Sequence, residues 1–390
     1  MISVNWEVKL LRSESAEDKK ITGSFFGRNI KVEIFGGSHE DHIGTSIRGL
    51  PQGTRIDMEE LCRFLARRAP GSSPFTTARQ EKDLPILQSG AEQERNIAFT
   101  SGGPLVFIIK NTDIRSADYK KTSDVPRPGH ADYTARVKYR GTLNMAGGGP
   151  FSGRMTAPLC IAGGIAMQML SRKGIEIAAH IASVEEQYDT LFDPVSVNAA
   201  ELHDLRERLS VPGTFPVISE KAGILMQQII KAAKDEGDSV GGIVEVCAAG
   251  VPPGLGGPMY DSAESVIAPI VFGIPAVKGI EFGTGFASSI LKGSENNDPF
   301  CIENGSVKTV TNHHGGILGG ITSGMPLTMR AAFKPTPSIE KEQDSIDMEK
   351  MIPEKIIISG RHDPCVAVRA VPVMEAALAA GLLDLMEDEK

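Results

Sequence analysis

The sequence of 390 residues lacks several features that would place it in a common class of protein. Its five cysteines include no C-x-x-C pair, so neither a zinc ribbon nor a disulfide framework is predicted, and reduced thiols in the cytoplasm are expected. No apolar run approaches the ~20 residues that span a bilayer, and the polar start has no signal-peptide hydrophobic region. The formal net charge of -8 gives no general reason to bind nucleic acid or an anionic membrane surface.

Nucleotide-binding and metal-binding motifs are also scarce. No G-x-G-x-x-G follows a predicted strand and no G-x-x-x-x-G-K-[ST] occurs, so the sequence supports neither a Rossmann domain nor a P-loop. His39 and His42 form an H-x-x-H pair without the spacing of a zincin helix, and two polar loop histidines are a better interpretation than a metal site. No metal ligand is therefore predicted.

The residues that can carry chemistry are densest at positions 127–157, which hold one histidine, four arginines and a triple glycine. The glycines have no Cβ to obstruct a ligand, and the small-residue pattern after them predicts a buried helix whose first amides suit phosphate. From the glycines alone, a plain turn that caps this helix is the favoured interpretation. The nearby Arg127, His130 and Arg154 favour an anion site instead, because arginine matches phosphate and carboxylate groups while histidine can move a proton.

A wider set of residue types supports the same chemistry. Histidines in polar loops, an Arg-His-Asp run and scattered cations supply proton transfer and anion binding; they are His39, His130, residues 361–363, Arg68, Arg127, Arg154 and Lys334. Residue types alone leave two possibilities, an enzyme that handles phosphate and a regulatory protein that binds it.

Strand and helix patterns predict an α+β fold. Short Gly-Pro turns separate apolar or alternating segments, while the long helix pattern APLCIAGGIAMQMLSRKG is apolar or small almost all round, so we expect antiparallel sheets around buried helices. Two G-x-P-x-G turns, at 49–53 and 250–254, each end a strand and lead to a helix, which indicates duplicated halves. Residues 1–22 are predicted as an extension outside a single domain of residues 23–390.

Three local predictions are specific. Asp57 has the position of a helix N-cap, with Glu60 three residues later. The nearly all-apolar run PLVFII predicts a strand buried on both faces. The polar stretch after the strand near EIAAHIASV, through about residue 217, is predicted as a connector.

Six blocks of the sequence resemble the chorismate synthase family and occur in the family's order. They are GGSHEDHIGTSIRGLPQG, RPGHADYTARVKYRG, GGGPFSGRMTAPL, NHHGGILGGITSG, AAFKPTPSI and GRHDPCVAVRAVPVMEA. The likeness extends from about Ser24 to the last predicted helix. It implies a homotetramer whose subunits are β-α-β sandwiches with pseudo-duplicated halves.

The resemblance also implies a reaction of the shikimate pathway, which leads to aromatic amino acids. The reaction is the 1,4-anti elimination of phosphate from 5-enolpyruvylshikimate 3-phosphate to give chorismate, catalysed by a carbon–oxygen lyase. It requires reduced FMN without net redox change, and NADPH is the implied reductant where the enzyme reduces its own flavin. A side-chain base alone is too weak to remove the unactivated C6 hydrogen, which gives a physical reason for a flavin.

Site residues are implied by the same resemblance. His39 is implied to protonate the flavin, His130 to donate a proton on the phosphate side, and Asp363 to work with flavin N5 in removing the C6 proton. The residues implied to bind the substrate's phosphate and carboxylates are Arg68, Arg127, Arg154 and Arg361. The residues implied to contact the flavin are Ser152, Ala276, Gly319, Lys334, Thr336, Ser338 and Arg361.

The chain departs from the family pattern at several of these blocks. Many members read G-E-S-H-G where this chain has residues 37–40 as GSHE, and R-S-S-A-R where it has residues 150–154 as PFSGR. Ala69 and Pro74 stand where some members keep arginine, and Pro275 where some have asparagine. These changes remove cations and hydroxyl groups from the flavin side of the site.

Two alternatives to an active lyase follow. One is a divergent paralogue that binds a phosphorylated ligand or flavin in a regulatory role, and the other is a flavin-dependent oxidoreductase with net turnover of NAD(P)H. Retention of His39, His130 and Asp363 favours activity, and the lack of a nucleotide-binding motif argues against the oxidoreductase.

Overall fold

The first half of the chain folds into a five-stranded antiparallel sheet, a smaller sheet and three helices. A computed structural model describes residues 24–71, 73, 75–77, 81–112, 124–358, 360 and 362–387, so the predicted extension at 1–22 lies outside the described residues. The elements are β1 (Ser24–Phe26), β2 (Lys31–Gly36), β3 (His42–Arg48), β4 (Arg55–Asp57), α1 (Met58–Arg68), β5 (Ile86–Ser89), β6 (Ala91–Glu94), β7 (Ile97–Thr100), β8 (Leu105–Lys110), α2 (Asp132–Tyr139) and α3 (Thr156–Ser171). The large sheet has the order β1-β2-β3-β8-β5, and the small one β4-β7-β6.

The second half forms another five-stranded antiparallel sheet and three two-stranded hairpins. Its elements are β9 (Glu176–Val184), β10 (Gln187–Tyr188), α4 (Ala199–Leu209), α5 (Glu220–Asp235), β11 (Gly242–Ala249), α6 (Ala263–Phe272), β12 (Val277–Phe282), α7 (Gly293–Asn296), β13 (Phe300–Glu303), β14 (Ser306–Thr309), β15 (Ile317–Leu318), β16 (Ile321–Thr322), β17 (Leu327–Phe333), β18 (Gln343–Asp347), β19 (Ile352–Ile356) and α8 (Ala367–Met386). The sheet order is β10-β9-β11-β17-β12, which leaves β12 at one edge.

Helices α3 and α8 form the buried layer of the fold. They pack against each other; α3 also contacts strands of both large sheets, and α8 lies on β9 and β11. Within this layer Glu375 of α8 is fully buried and accepts hydrogen bonds from Arg67 of α1 at 2.6 and 2.9 Å. The amide of Ala179 in β9 donates to the same carboxylate at 3.0 Å, so one buried ion pair joins α1, α8 and β9. None of the described helices has the length and apolarity that crossing a membrane requires.

The structure confirms the α+β prediction and its duplicated turns. The turns at 49–53 and 250–254 follow β3 and β11 and lead to α1 and α6. Asp57 caps α1, because its side chain accepts hydrogen bonds from the amides of Glu59 and Glu60, both at 3.1 Å. Pro158 falls in the first turn of α3, where its missing amide hydrogen costs little.

Two local predictions are wrong. Strand β8 is fully buried on one face only, since Leu105 and Phe107 are fully buried whereas Val106 and Ile108 are partly exposed. The stretch predicted as a connector contains β10 and helix α4, which Asn198 caps through the amides of Ala200 and Glu201 at 3.0 and 3.2 Å. Helix α4 buries little more than Leu202 and Leu209, so its apolar stripe is too narrow to stand out in the sequence.

Candidate active site

A cavity of about 610 Å³ collects most of the predicted site residues. It lies between residues 127–154, the start of β12, the segment after β17 and the segment before α8. Its volume is in the range of sites for small ligands and cofactors. The predicted residues that line it are Arg127, His130, Ser152, Arg154, Ala276, Lys334, Thr336, Ser338 and Asp363.

Three predicted residues do not line this cavity, and a fourth lies outside the described residues. Arg68 is only 1% exposed and sits behind Arg154, whose backbone oxygen it contacts at 3.4 Å. Gly319 occupies the exposed turn between β15 and β16. His39 lies behind the cavity wall, and Arg361 is the residue that the structure does not describe.

The triple glycine packs against two histidines. A Cβ at Gly147 would lie 1.9 Å from Cε1 of His39, and one at Gly148 would lie 3.2 Å from Nε2 of His130. Both glycines have positive φ, at 61° and 90°. The glycines lie within a 3-10 turn at 146–151, and a second short turn at 153–155 separates them from α3, so they pack against the histidines and do not begin the helix themselves. The anion site expected at the start of the helix stays a prediction.

Arg127, His130 and Asp132 form one hydrogen-bonded group on the cavity wall. Arg127 donates to the two carboxylate oxygens of Asp132, from Nε and Nη2, both at 2.7 Å. Nδ1 of His130 lies 2.7 Å from Oδ1 of Asp132, which favours the tautomer with hydrogen on Nδ1 and leaves Nε2 for a ligand. Burial alone would raise the pKa of Asp132, but hydrogen bonds from Arg127 and His130 outweigh it and hold that pKa well below its usual range.

Arg68 and Arg154 share a buried carboxylate. Asp83 has a fully buried side chain and lies 3.3 Å from Nε of Arg68 while it pairs with Nη1 of Arg154. Glu81 lies 3.1 Å from Nε of Arg154, and Asn111 accepts from the same nitrogen at 3.0 Å. Burial lowers the pKa of Arg68 to about 10, although the charge of Asp83 opposes the shift. Two guanidinium groups and two carboxylates thus balance each other.

Asp363 lines the cavity from the segment before α8. It accepts a hydrogen bond from the amide of Thr77 at 2.9 Å and one from Arg369 at 2.8 Å. The neighbouring His362 also lines the cavity, and its Nε2 is buried with no hydrogen-bond partner among the described residues. Burial and the charge of Arg127 lower the pKa of His362 to about 4, so this imidazole is neutral at neutral pH.

Five of the predicted flavin contacts line the cavity, namely Ser152, Ala276, Lys334, Thr336 and Ser338. Lys334 donates from Nζ to the backbone oxygen of Gly129, and Ser338 accepts from Arg127 at 3.2 Å. Ser152 caps the short turn at Arg154, whose amide it accepts at 3.3 Å. Ala276 has φ of 76°, a left-handed conformation that is rare for a residue with a Cβ.

Sequence reasoning missed the carboxylates that neutralise the arginines. Glu81 and Asp83 alternate along a non-helical segment, so both can face one side, and Asp132 follows His130 by two residues. The signal available in the sequence was the presence of these acidic residues, which could have been predicted to pair with the anion-binding arginines. Pro150 and Phe151, which replace polar residues of the family pattern, give the cavity an apolar patch beside Ser152.

Known proteins match both the sequence and the fold. A family model described as chorismate synthase matches residues 30–386. The chorismate synthase of Lancefieldella parvula is 44% identical over 93% of this chain and 96% of its own length. That of Pyrococcus abyssi is 45% identical over 92% of this chain and 96% of its own. A crystal structure of chorismate synthase aligns with a TM-score of 0.68 at 25% identity and covers 93% of both chains.

The fold is α+β, and its cavity gathers side chains of the types that bind anions and transfer protons. The chain belongs to the chorismate synthase family. It is a lyase, and the predicted shikimate-pathway function is confirmed, whereas the regulatory paralogue is not favoured. The predicted sandwich fold is confirmed by the likeness to the crystal structure.

Proposed function

We propose that the chain catalyses the 1,4-anti elimination of phosphate from 5-enolpyruvylshikimate 3-phosphate to give chorismate, with reduced FMN as its cofactor. The observation that carries the proposal is a single cavity lined by His130, Asp363, Arg127, Arg154 and Lys334. Anti elimination needs a proton donor near the leaving group and a proton acceptor near the hydrogen that departs, and this cavity holds one of each type.

The histidine side of the cavity suits release of phosphate. Asp132 orients the ring of His130 through Nδ1, and in the imidazolium form Nε2 carries the proton that passes to the departing phosphate oxygen. Arg127, fixed by the same carboxylate, lies beside the histidine with its Nη2 3.0 Å from Nδ1. A leaving phosphate would therefore meet a proton donor and a guanidinium group at one place.

The aspartate side suits removal of the C6 proton. The amide of Thr77 and Arg369 each occupy one lone pair on the carboxylate of Asp363, and each oxygen keeps a second lone pair that can take a proton. Burial lowers the pKa of the neighbouring His362 to about 4, so this imidazole is a weak base for the departing proton. We assign Asp363 the role of the group that takes up the proton.

The residues present fit a bound FMN. Hydroxyl groups and one ammonium group suit its phosphate and ribityl chain, and they belong to Ser152, Lys334, Thr336 and Ser338. The strained backbone of Ala276 lies at the same wall, as expected where a ligand approaches the main chain closely. The chemistry that bound reduced FMN supplies is electron density for C–O cleavage, recovered without net redox change. His39, behind Gly147, would act on the flavin from the second layer of this wall.

Anaerobic incubation with the enolpyruvyl substrate and chemically reduced FMN tests the proposal. We expect chorismate and inorganic phosphate to appear in equal amounts, with no NADPH consumed per turnover once the flavin is reduced. Oxidised FMN serves as the control and should give neither product. The absence of both products would overturn the proposed reaction, and steady NADPH oxidation would favour the oxidoreductase instead.

The homotetramer implied by the family resemblance is part of this proposal. Its support is an apolar face on the β13–β14 hairpin, where Phe300, Ile302 and Val307 are 71%, 81% and 66% exposed. Ile302 pairs with Val307 across the hairpin, so the two side chains adjoin. Soluble monomers seldom expose contiguous apolar surface of this kind.

The five cysteines are all unpaired, which fits the cytoplasmic location predicted from the sequence.

Light scattering on purified protein tests the assembly. We expect a mass four times that of the 41.7 kDa chain, and we expect Ile302→Glu to lower it because a charge cannot be buried there without a partner. The exposed Lys231→Glu on α5 is the matched control and should leave the mass unchanged. A monomer at micromolar concentration would contradict this part of the proposal.

A further inference from the structure

Lys278 is a cavity residue that the sequence did not indicate. It lies on β12, at the edge of the second sheet, where Val277 pairs with Phe333 and Gly279 pairs with Ala332. Lys278 is therefore an extra residue without a partner on β17, which is a β-bulge. Bulges redirect a side chain from the face that regular alternation would give it, and they are frequent next to active sites. Here the bulged lysine lines the cavity.

Lys334 reaches the same cavity from the adjoining strand. It follows the end of β17, and its amide donates to the backbone oxygen of Ala276 at 3.0 Å. This hydrogen bond joins Lys334 to the segment that carries Lys278 two residues further on. Burial and the charge of Lys278 together lower the pKa of Lys334, which indicates that the two ammonium groups repel each other. Among the residues that the structure describes, no carboxylate forms an ion pair with either lysine.

The arginines of the cavity differ in this respect. Arg127 is balanced by Asp132, and Arg154 by Glu81 and Asp83. Within the described part of the cavity wall, uncompensated positive charge therefore lies at the lysine pair. Two like charges held together without a counter-ion cost free energy, and a doubly charged anion between them would remove that cost.

The backbone around the lysine pair is also unusual. Ala276 has a left-handed φ of 76°, and the bulge at Lys278 follows two residues later. A non-glycine residue in this region costs on the order of 1–3 kcal/mol and persists where surrounding structure or function requires it. Both irregular residues line the cavity, as do Thr336 and Ser338, whose hydroxyl groups can donate to phosphate oxygens.

We propose that Lys278 and Lys334 together bind the phosphate monoester of a ligand in this cavity, with Lys278 as an additional phosphate-binding residue. The inference rests on the proposed function, because both FMN and the enolpyruvyl substrate carry such a phosphate. In this proposal Lys334, Thr336 and Ser338 contact the phosphate, and Lys278 contacts it from the β-bulge in β12. Lys278 contributes to binding and takes no part in proton transfer.

Binding of FMN and of riboflavin to the Lys278→Met protein separates the possible sources of the phosphate. Methionine keeps most of the length of the side chain and removes its charge. If the phosphate is that of FMN, the dissociation constant for FMN rises about 10- to 100-fold, since a hydrogen bond to a charged group is lost. Binding of riboflavin, which has no phosphate, stays unchanged, and Lys278→Arg retains most of the FMN affinity.

If the phosphate is that of the substrate, Lys278→Met raises KM for the substrate by the same factor and leaves FMN binding unchanged. The control is Lys231→Ala, which removes an exposed lysine of α5 and should affect neither ligand. The inference would be overturned if Lys278→Met changed neither FMN binding nor KM for the substrate. It would also be overturned if FMN and riboflavin lost affinity equally. Turnover by the unmodified protein is measured separately, so a failure of the proposed reaction is distinguishable from a failure of this site.

Discussion

Replacing Asp363 with asparagine is expected to lower turnover by about 10²- to 10⁴-fold, the usual contribution of a positioned general base. The amide cannot take up the C6 proton, but its oxygen can still accept from the amide of Thr77 at the 2.9 Å contact. The cavity should therefore keep its shape, and FMN should bind with little change. Anaerobic turnover with reduced FMN, alongside FMN titration, measures both quantities.

The matched control for this variant is Asp261→Asn. Asp261 also pairs with an arginine, Arg28 at 2.6 Å, but its side chain is 69% exposed and does not line the cavity. We expect turnover to be unchanged by this substitution. If Asp363→Asn also retained full turnover while FMN bound normally, Asp363 would not be the group that receives the proton.

Replacing Asp83 with asparagine is expected to destabilise the fold by about 3–5 kcal/mol, the usual cost of breaking a buried ion pair by removing one partner. Its carboxylate is fully buried and contacts both Arg68 and Arg154, so the amide leaves two buried guanidinium groups with Glu81 as their remaining carboxylate. Urea unfolding at neutral pH, with unchanged dependence on denaturant, measures the loss.

The control is Glu281→Gln, which breaks the Glu281–Arg330 pair. These side chains are 24% and 23% exposed, so the expected loss is about 1 kcal/mol or less.

The folded-state pKa of Asp83 is lowered: burial opposes the shift, but the charges of Arg68 and Arg154 outweigh it. Its stabilisation is thus complete above the unfolded value of about 3.9 and is lost as pH falls through the folded value. The loss caused by Asp83→Asn should shrink over that acidic window; a loss no larger than the control at neutral pH would contradict this account.

The cavity residues were predictable because short blocks of sequence carry them. Arg127, His130 and Asp363 lie in blocks that resemble one family, and the structure brings all three to one cavity. Their partners were not predictable in the same way. Whether Asp83 meets Arg154 depends on the path of residues 81–83 through the folded chain, and no local pattern encodes that path.

In the fold, too, local features were predictable from the sequence and features that depend on distant neighbours were not. The apolar pattern of α3 and the cap at Asp57 are local features, and both predictions are correct. The exposure of β8 and the existence of α4 depend on which neighbours cover each face. Val106 is apolar yet partly exposed, and α3 is the helix that packs against its strand. Periodicity reports the residue types on a face but not what packs against it.

The glycine turn at 147–149 also links the positions of two histidines. His39 stands against Gly147 and His130 against Gly148, which are neighbouring residues of one backbone segment. A Cβ at Gly147 would overlap the ring of His39, and one at Gly148 would crowd His130. A change in this short turn would therefore displace both imidazoles, although the two histidines are far apart in the sequence.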